Sequence, residues 1–528
     1  MSQTAPAESV LRGCVFAGVR EYVVCAGARN AAIVLPLLKQ DKFRVYHHFE
    51  ERCAGFFAMG RVKQSRQPVA VVTTSGTAAA ELLPAIIESH YQGLPLVVIT
   101  ADRPLAYRGT GAPQAIEQVG LFGGYVESCV DVVDGSVERI SETWSRTSPI
   151  HLNVCLEEPV GDEENVRWPE SLSGEVMPAD VGSALPQVLG NQKLQQFCED
   201  NEGLLVMAGP LPVCDLTSVE SFLQKVGAQI LADAASNLRE LGGISDLVIQ
   251  GGERALKRRR VTKVLRIGGV PSFRFWRDLE SRTDIEVMSV LSGGFSGIAR
   301  ESVCIPDEWG ESAWRAVPEK ERRSLKANDG GDLTGILEKF SRSEPSLIRE
   351  LSKVIPQGAS IFLGNSLAVR EWNLAATFES RHFTYNANRG ANGIDGIVST
   401  FLGVAAGEPE AWLVCGDLTA LYDLAGPWIA DQLPSGRRRI VVLNNGGGRI
   451  FDRLPAFSSA DSEARRVVGN DHRHEFTHWA QMWGWKHVSV THAEGLASAV
   501  EASDPHIVIE VCPDPEQTDM FWKEWEAV

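Results

Sequence analysis

The chain has 528 residues and a mass of 57.6 kDa, a length that suits three or four domains at roughly 150 residues each. Hydrophobic residues make up 44% and charged residues 23%, the balance of an ordinary globular protein. With 51 Lys+Arg against 68 Asp+Glu the formal net charge is −17, which weighs against nucleic acid and anionic membrane surfaces, since both are gripped through basic faces.

In chain order, Glu21–Ala26 is the first predicted strand, and Val69–Thr74 (VAVVTT) and Leu94–Thr100 (LPLVVIT) follow it. Between the last two, Ala78–Tyr91 places apolar residues at helical spacing and predicts one helix. Continuous Val/Ile runs separated by helices predict a parallel sheet covered on both faces. Gly203–Ala208, Ala228–Leu231 and Lys263–Ile267 repeat the pattern. The polar stretch Pro318–Ser346 reads as a surface connection between domains. Strands are expected again at Ser360–Leu363, Trp412–Cys415, Ile440–Leu443 and His506–Val511. Three α/β units of similar size are the simplest architecture, with chemistry in the loops after the strands.

No apolar run nears the roughly 20 residues that span a bilayer, and Met1 to Ala7 lacks the basic start and apolar core of a signal peptide. The ten cysteines show neither a Cys-x-x-Cys pair nor zinc spacing. Reduced, mostly buried thiols and a cytoplasmic protein are therefore expected.

The most informative segment is Trp412 to Leu454. One strand ends in Gly416-Asp417, and the next ends in Asn444-Asn445-Gly446-Gly447-Gly448. A single strand–helix–strand unit separates Asp417 from Asn445, which brings both side chains to one sheet edge. A carboxylate, an amide oxygen and a turn carbonyl are hard oxygen ligands suited to Mg²⁺. A helix N-terminus after Asp417 would add N–H donors for a diphosphate. Read alone, the same residues also fit an ordinary strand end and a Gly-rich turn. Earlier, His47-His48-Phe49-Glu50-Glu51-Arg52 precedes an apolar helix at Ala54–Met59. Read alone, Glu50 and Glu51 fit the first turn of that helix.

Gly-Asp followed by Asn-Asn resembles the cofactor motif of thiamine diphosphate (ThDP) enzymes. Further segments occur in order: Thr74-Ser75-Gly76-Thr77-Ala78-Ala79, Thr100-Ala101-Asp102-Arg103-Pro104, Gln114-Ala115-Ile116, Gly364-Asn365-Ser366 with Arg370, Asn388 to Gly396, and Ile450-Phe451 with Leu454-Pro455. Together they resemble the 2-succinyl-5-enolpyruvyl-6-hydroxy-3-cyclohexene-1-carboxylate synthase family of menaquinone biosynthesis. The resemblance covers nearly the whole chain and is weakest in its middle third.

The resemblance implies a three-domain α/β fold, each domain a mostly parallel sheet covered by helices. Residues 1–175 would bind the cofactor's pyrimidine, 185–335 would form a central Rossmann-like domain, and 345–528 would bind the diphosphate. It implies ThDP with Mg²⁺ or Mn²⁺. The implied reaction is decarboxylation of 2-oxoglutarate and addition of the resulting succinyl-semialdehyde carbanion equivalent to isochorismate. The carry-over makes Glu51 the proton-relay acid. Ser75, Gly76, Thr77, Ile394, Gly416, Leu418 and Thr419 become cofactor contacts, and Asp417, Asn445 and the Gly447 carbonyl become metal ligands. Substrate contacts fall on Arg29, Arg103, Gln114, Arg274, Ser366, Arg370, Arg389, Ile450, Phe451 and Leu454. Both substrates carry two carboxylates, which the planar fork of arginine binds well. The family also implies a homodimer or homotetramer with active sites at subunit interfaces.

Several positions depart from the pattern. The family's Ser-Pro-Gly-Ser-Arg-Ser loop is here Cys25-Ala26-Gly27-Ala28-Arg29-Asn30. Losing the hydroxyl at Ala28 removes one hydrogen bond, worth about 1 kcal/mol net. Pro113 stands where an Asn usually precedes Gln114, and Arg274 stands near a usual Lys. The metal turn has two Asn rather than three, which leaves Asn444 as an alternative ligand. These changes keep two other readings open: a different ThDP-dependent 2-oxoacid decarboxylase or acetolactate-type synthase, and a non-catalytic ThDP-fold scaffold. His472, His474 and His478 offer a weak zinc pattern. The serine in Thr74–Thr77 lacks the glycine of a nucleophile elbow, and these hydroxyls are expected to cap the next helix and face the cofactor. Trp479, Trp483, Trp485, Trp522 and Trp525 are expected to pack rather than bind.

Overall fold

The computed structural model describes residues 5–527 apart from 135–136, 138–139, 158–189, 292–293, 307–331, 455–456 and 458–460. Its residues form two compact units. The first gathers the described residues before 186 with Gly390–Glu408 and Tyr422–Ser435, and the second holds the remainder.

In the first unit, β1 (Glu21–Val24), β2 (Arg44–His47), β3 (Val69–Thr73), β4 (Leu96–Asp102), β5 (Cys129–Val132) and β6 (Ile150–Cys155) form one sheet. Its order is β2-β1-β3-β4-β6-β5, and every pairing is parallel. All residues of β3, β4 and β6 are buried, as continuous Val/Ile runs require when both faces are covered.

The second unit has two sheets. One holds β7 (Leu204–Ala208), β8 (Gln229–Ala232), β9 (Lys263–Ile267), β10 (Glu286–Leu291) and β11 (Val303–Pro306), in the order β11-β10-β9-β7-β8. The other holds β12 (Ser360–Leu363), β13 (Thr384–Ala387), β14 (Glu410–Gly416), β15 (Arg437–Leu443), β16 (Lys486–Val490) and β17 (His506–Val511), in the order β13-β12-β14-β15-β17-β16. Both are wholly parallel. Three parallel α/β sheets match the expected fold. The first and third share one strand order, so each reverses direction between its first and third strands. That reversal opens a crevice at the carboxyl ends, where ligands bind in such sheets.

The helix Glu51–Ser65 has no polar stripe, and Cys53 through Val62 are all buried. It is enclosed because the helix Ile397–Ala405, buried along its whole length, packs on it within the first unit. The two backbones meet at glycines. A Cβ on Gly60 would lie 2.9 Å from the Gly403 Cα, and one on Gly403 would lie 2.3 Å from the Phe57 carbonyl oxygen. Neither obstacle is a movable side-chain tip. Gly403→Ala is therefore expected to destabilise by roughly 3 kcal/mol, the upper end for overpacking, read as a lower midpoint in thermal or denaturant unfolding. An unchanged midpoint would mean that the helices are not in contact.

Two expected elements need correction. Ala78–Tyr91 is two helices, Thr77–Ala80 and Leu83–Gln92, because Pro84 fits a first helical turn and not an interior. Of the stretch Pro318–Ser346, the part to residue 331 lies outside the described residues. The remainder forms two helix starts with a buried apolar face and an exposed polar one, rather than an unstructured surface connection. Asp332 caps the helix Leu333–Lys339, Ser343 caps the helix Glu344–Val354, and Ile336, Leu337 and Phe340 are buried at helical spacing. The expected domain limits at 175 and 185 also lie outside the described residues. Trp479, Trp485 and Trp525 are buried. No disulfide joins the ten cysteines, and six of them are buried. Among the described residues no helix is long and apolar enough to cross a membrane.

Candidate active site

In the first unit the assigned residues follow the carboxyl ends of β1 to β4. Glu50 is the N-cap of the helix Glu51–Ser65, and its carboxylate accepts the N–H of Arg52 (3.2 Å) and of Cys53 (3.0 Å). Capping thus engages Glu50 and leaves Glu51 as the acid available for chemistry. Burial pushes Glu51 above the ordinary carboxylate range, and the charges of Glu50 and Glu81 add to it against a backbone hydrogen bond. An acid raised in this way is closer to the pH at which it must give and take a proton.

After β3 the chain turns through Gly76 (φ +84°), whose N–H donates to Oε1 of the buried Gln118 at 2.8 Å. Gly76 itself is the N-cap of the next helix and no side chain caps it, so the expected hydroxyl capping does not occur. The turn lies between Ser75 and the helix start. The buried Ser75 Oγ consequently has no hydrogen-bond partner among the described residues, as a cofactor contact would require. Gln114 stands against this turn, its Cα only 3.2 Å from where a Gly76 Cβ would be. It adopts φ +59°, a conformation that costs a non-glycine residue about 1–3 kcal/mol and is concentrated at functional sites.

Arg29 is buried, and its Nη1 donates to the Leu156 carbonyl at 2.8 Å. In the altered first loop the Asn30 side chain closes the turn, accepting the Gly27 N–H at 3.0 Å and donating to the Cys25 carbonyl at 2.9 Å. Arg103 is half-buried with its guanidinium over the Tyr107 ring. Ile394 is half-buried in a loop that the buried Glu88 holds, accepting the N–H groups of Gly390 (2.7 Å), Ala391 (2.7 Å) and Asn392 (3.2 Å).

In the second unit Asp417 opens a helix at the end of β14 and is almost wholly buried. Its Oδ1 accepts the Leu418 N–H at 2.6 Å, and its Oδ2 accepts the N–H groups of Gly446 (2.8 Å) and Gly447 (2.9 Å). Gly416, Leu418 and Thr419 flank it. Gly447 has φ +135°, and a Cβ there would lie 2.6 Å from the Gly469 carbonyl oxygen, so the turn needs glycine. The two asparagines differ. Asn444 Nδ2 donates to Glu510 (2.6 Å) and the His474 carbonyl (2.8 Å). Asn445 Nδ2 donates to Glu344 Oε2 at 2.9 Å, while its buried Oδ1 has no partner among the described residues. An orphaned amide oxygen beside a buried carboxylate fits a hard cation such as Mg²⁺.

Ser366 caps the helix Leu367–Ala375 with φ +68° and makes no capping bond, and its carbonyl accepts Arg370 Nη1 at 2.5 Å. Arg389 is buried and donates to Asn365 Oδ1 at 2.9 Å. Burial first, and the Arg389 charge next, lower the Arg370 guanidinium. An anion between two such cations would relieve their repulsion. Ile450, Phe451 and Leu454 are half-buried on and just after the short helix Arg449–Arg453, and Pro455 lies outside the described residues. Arg274 is exposed and pairs with Asp278 at 3.6 Å.

His472 lies 3.3 Å from Asp417 and stacks on His474, whereas His478 faces Gln481. Among the described residues no three His, Cys, Asp or Glu side chains are grouped to hold a metal, so the zinc pattern is not realised. Sequence reasoning missed Gln118, Glu88, Glu344 and Glu510. The signal for two of them was a single charge inside an apolar run, Glu88 in LLPAIIESHY and Glu510 in HIVIEV.

The family profile "Thiamine pyrophosphate enzyme, N-terminal TPP binding domain" matches residues 6–121. The chain is 39% identical to the 2-succinyl-5-enolpyruvyl-6-hydroxy-3-cyclohexene-1-carboxylate synthase of Bdellovibrio bacteriovorus, over 100% of this chain and 99% of that protein. It is 37% identical to the synthase of the same name from Akkermansia muciniphila, over 97% of each chain. The Geobacillus kaustophilus synthase is 31% identical over 91% of this chain and 89% of its own. The fold is shared with the X-ray structure of a Mycobacterium smegmatis protein described as a thiamin diphosphate-dependent enzyme. The TM-score is 0.69 at 14% identity, covering 97% of this chain and 99% of that one. These relatives favour the synthase reading over the other oxoacid enzymes and over a scaffold. The chain belongs to the 2-succinyl-5-enolpyruvyl-6-hydroxy-3-cyclohexene-1-carboxylate synthase family of ThDP enzymes.

Proposed function

We propose that this protein decarboxylates 2-oxoglutarate and adds the four-carbon remainder to isochorismate, using ThDP with Mg²⁺ or Mn²⁺. The observation that carries the reading is the full-length likeness to synthases of that name, at 39% identity over 100% of the chain. The buried Asp417 beside the orphaned Asn445 oxygen supports the metal.

When bound, ThDP supplies the electron sink that lets a 2-oxoacid lose CO₂ and react as an acyl carbanion equivalent. The chain's own residues do the remainder. Glu51 would exchange a proton with the aminopyrimidine. Asp417, Asn445 and the Gly447 carbonyl would hold the cation, and the N–H groups of the helix that Asp417 opens would face the diphosphate, apart from that of Leu418, which Asp417 already accepts. Ser75, Gly76, Thr77 and Ile394 would hold the organic part of the cofactor, and Gly416, Leu418 and Thr419 would line the diphosphate. Arg29, Arg103, Arg370 and Arg389, with Gln114 and Ser366, bind the carboxylates and hydroxyls of two dianionic substrates. Arg274, exposed at the start of its helix, would add a further cation for the same anions. Ile450, Phe451 and Leu454 form the apolar wall that excludes water.

The pyrimidine domain is assigned to 1–175, the central domain to 185–335 and the diphosphate domain to 345–528. Glu51 and Asp417 would serve one site from different subunits of a homodimer or homotetramer, in the cytoplasm. Isochorismate loss followed by ultraviolet absorbance tests the reading. Loss should require ThDP, the divalent ion and 2-oxoglutarate together. Undiminished isochorismate with all three present would overturn it, and a preference for pyruvate would indicate an acetolactate-type synthase.

A further inference from the structure

We propose that Glu344 is a positioning residue for the metal site, holding the Asn445 amide so that its carbonyl oxygen faces the cation. The proposal rests on the cofactor reading above and adds to it a residue outside the motif. Glu344 begins the helix Glu344–Val354 and is 1% exposed. Its Oε2 accepts Asn445 Nδ2 at 2.9 Å. An amide is planar, so fixing its nitrogen fixes the direction of its oxygen. A carboxylate can only accept, so it selects the –NH₂ end and leaves Oδ1 on the opposite side, where the structure shows it buried and unpartnered.

A second buried acid stands behind the first. Glu371 is 0% exposed and pairs with Arg453 Nη2 at 3.2 Å, and the Arg453 guanidinium lies over the Trp522 ring. The cluster also joins three parts of the site. Glu371 follows Arg370 on one helix, and Arg453 shares a short helix with Ile450 and Phe451. Two buried acids and a half-buried arginine are poor devices for stability, since apolar residues of the same volume usually serve as well. Orienting a ligand explains why they are placed here, as outer-shell partners of metal ligands commonly do.

The test is Mn²⁺ binding to the full-length apoprotein with and without ThDP, read as free Mn²⁺ by electron paramagnetic resonance. The unmodified protein should show saturable, ThDP-dependent binding. If it does not, the cofactor reading fails and this proposal falls with it. If it does, Glu344→Leu and Glu344→Asp should each weaken Mn²⁺ binding about 10–100-fold, the first by removing the acceptor and the second by withdrawing it. Glu344→Gln, whose carbonyl can still accept from Asn445, should stay within about threefold of the parent. A folded Glu344→Leu that binds Mn²⁺ as tightly as the parent would overturn the proposal, as would a Gln variant that falls as far as Leu. Should the Leu variant not fold, Glu344→Asp decides, and unchanged affinity there is equally fatal.

Discussion

Glu51→Gln is expected to lower turnover by about 10²–10⁴-fold, the usual contribution of a positioned acid–base group, while raising the melting temperature of the apoprotein. Both effects come from one environment. Burial holds the Glu51 carboxyl above its ordinary value of 4.5. The folded state therefore keeps that proton to higher pH than the unfolded chain does. Stability falls as pH rises from the unfolded value through the folded one, and it stays lowered at neutral pH. Glutamine carries no charge to bury and escapes this penalty, in the familiar exchange of stability for activity. Melting curves of both proteins at pH 5 and pH 8 would show the variant's advantage widening with pH. ThDP binding should persist. Retained turnover, or a variant less stable at both pH values, would remove Glu51 from the proton-relay role.

Asp417 should behave in the opposite way. Its carboxylate is acceptor to three backbone N–H groups, those of Leu418, Gly446 and Gly447. Asp417→Ala leaves all three donors, one buried and two half-buried, without their acceptor. It should cost roughly 3 kcal/mol or more of stability, because hydrogen bonds to charged groups are the expensive ones to lose. Metal and cofactor binding should be lost as well. Asp417→Asn keeps an oxygen that can still accept from the Gly446–Gly447 turn but turns its amide nitrogen toward the Leu418 N–H, so it should lose clearly less stability than Asp417→Ala while binding Mn²⁺ far more weakly. Calorimetry of cofactor binding beside denaturant unfolding separates the two. If Asp417→Asn binds metal normally, the carboxylate is only a loop clamp. If Asp417→Ala is as stable as the parent, the hydrogen bonds described above do not hold the turn.

The strands were legible because sheets buried on both faces write themselves as unbroken apolar runs. Lys263–Ile267, Ser360–Leu363 and His506–Val511 were bounded to the residue. Ser343–Glu344–Pro345 was misread because charge and proline look like a loop, although Ser and Pro also open helices. Motif order indicated Asp417 and Asn445, but not which asparagine has an orphaned oxygen. That choice depends on Glu344, about a hundred positions away in sequence, and on Glu510 on β17, and no local pattern reports such distant acceptors. The first and third sheets share a strand order without a visible sequence repeat, because topology constrains where apolar runs fall and not which residues compose them.

The glycine contact between the helices Glu51–Ser65 and Ile397–Ala405 also has a consequence for biosynthesis. The first helix leaves the ribosome early, but the one that covers it is translated roughly 300 residues later, which at about 5–20 residues per second is a delay of tens of seconds. During that interval an apolar side chain such as Phe56, which ends buried with its ring against Gly396, has no complete covering. The nascent N-terminal half would therefore be a chaperone client, and a gene fragment ending before residue 390 should yield aggregated product however well its sheet is formed.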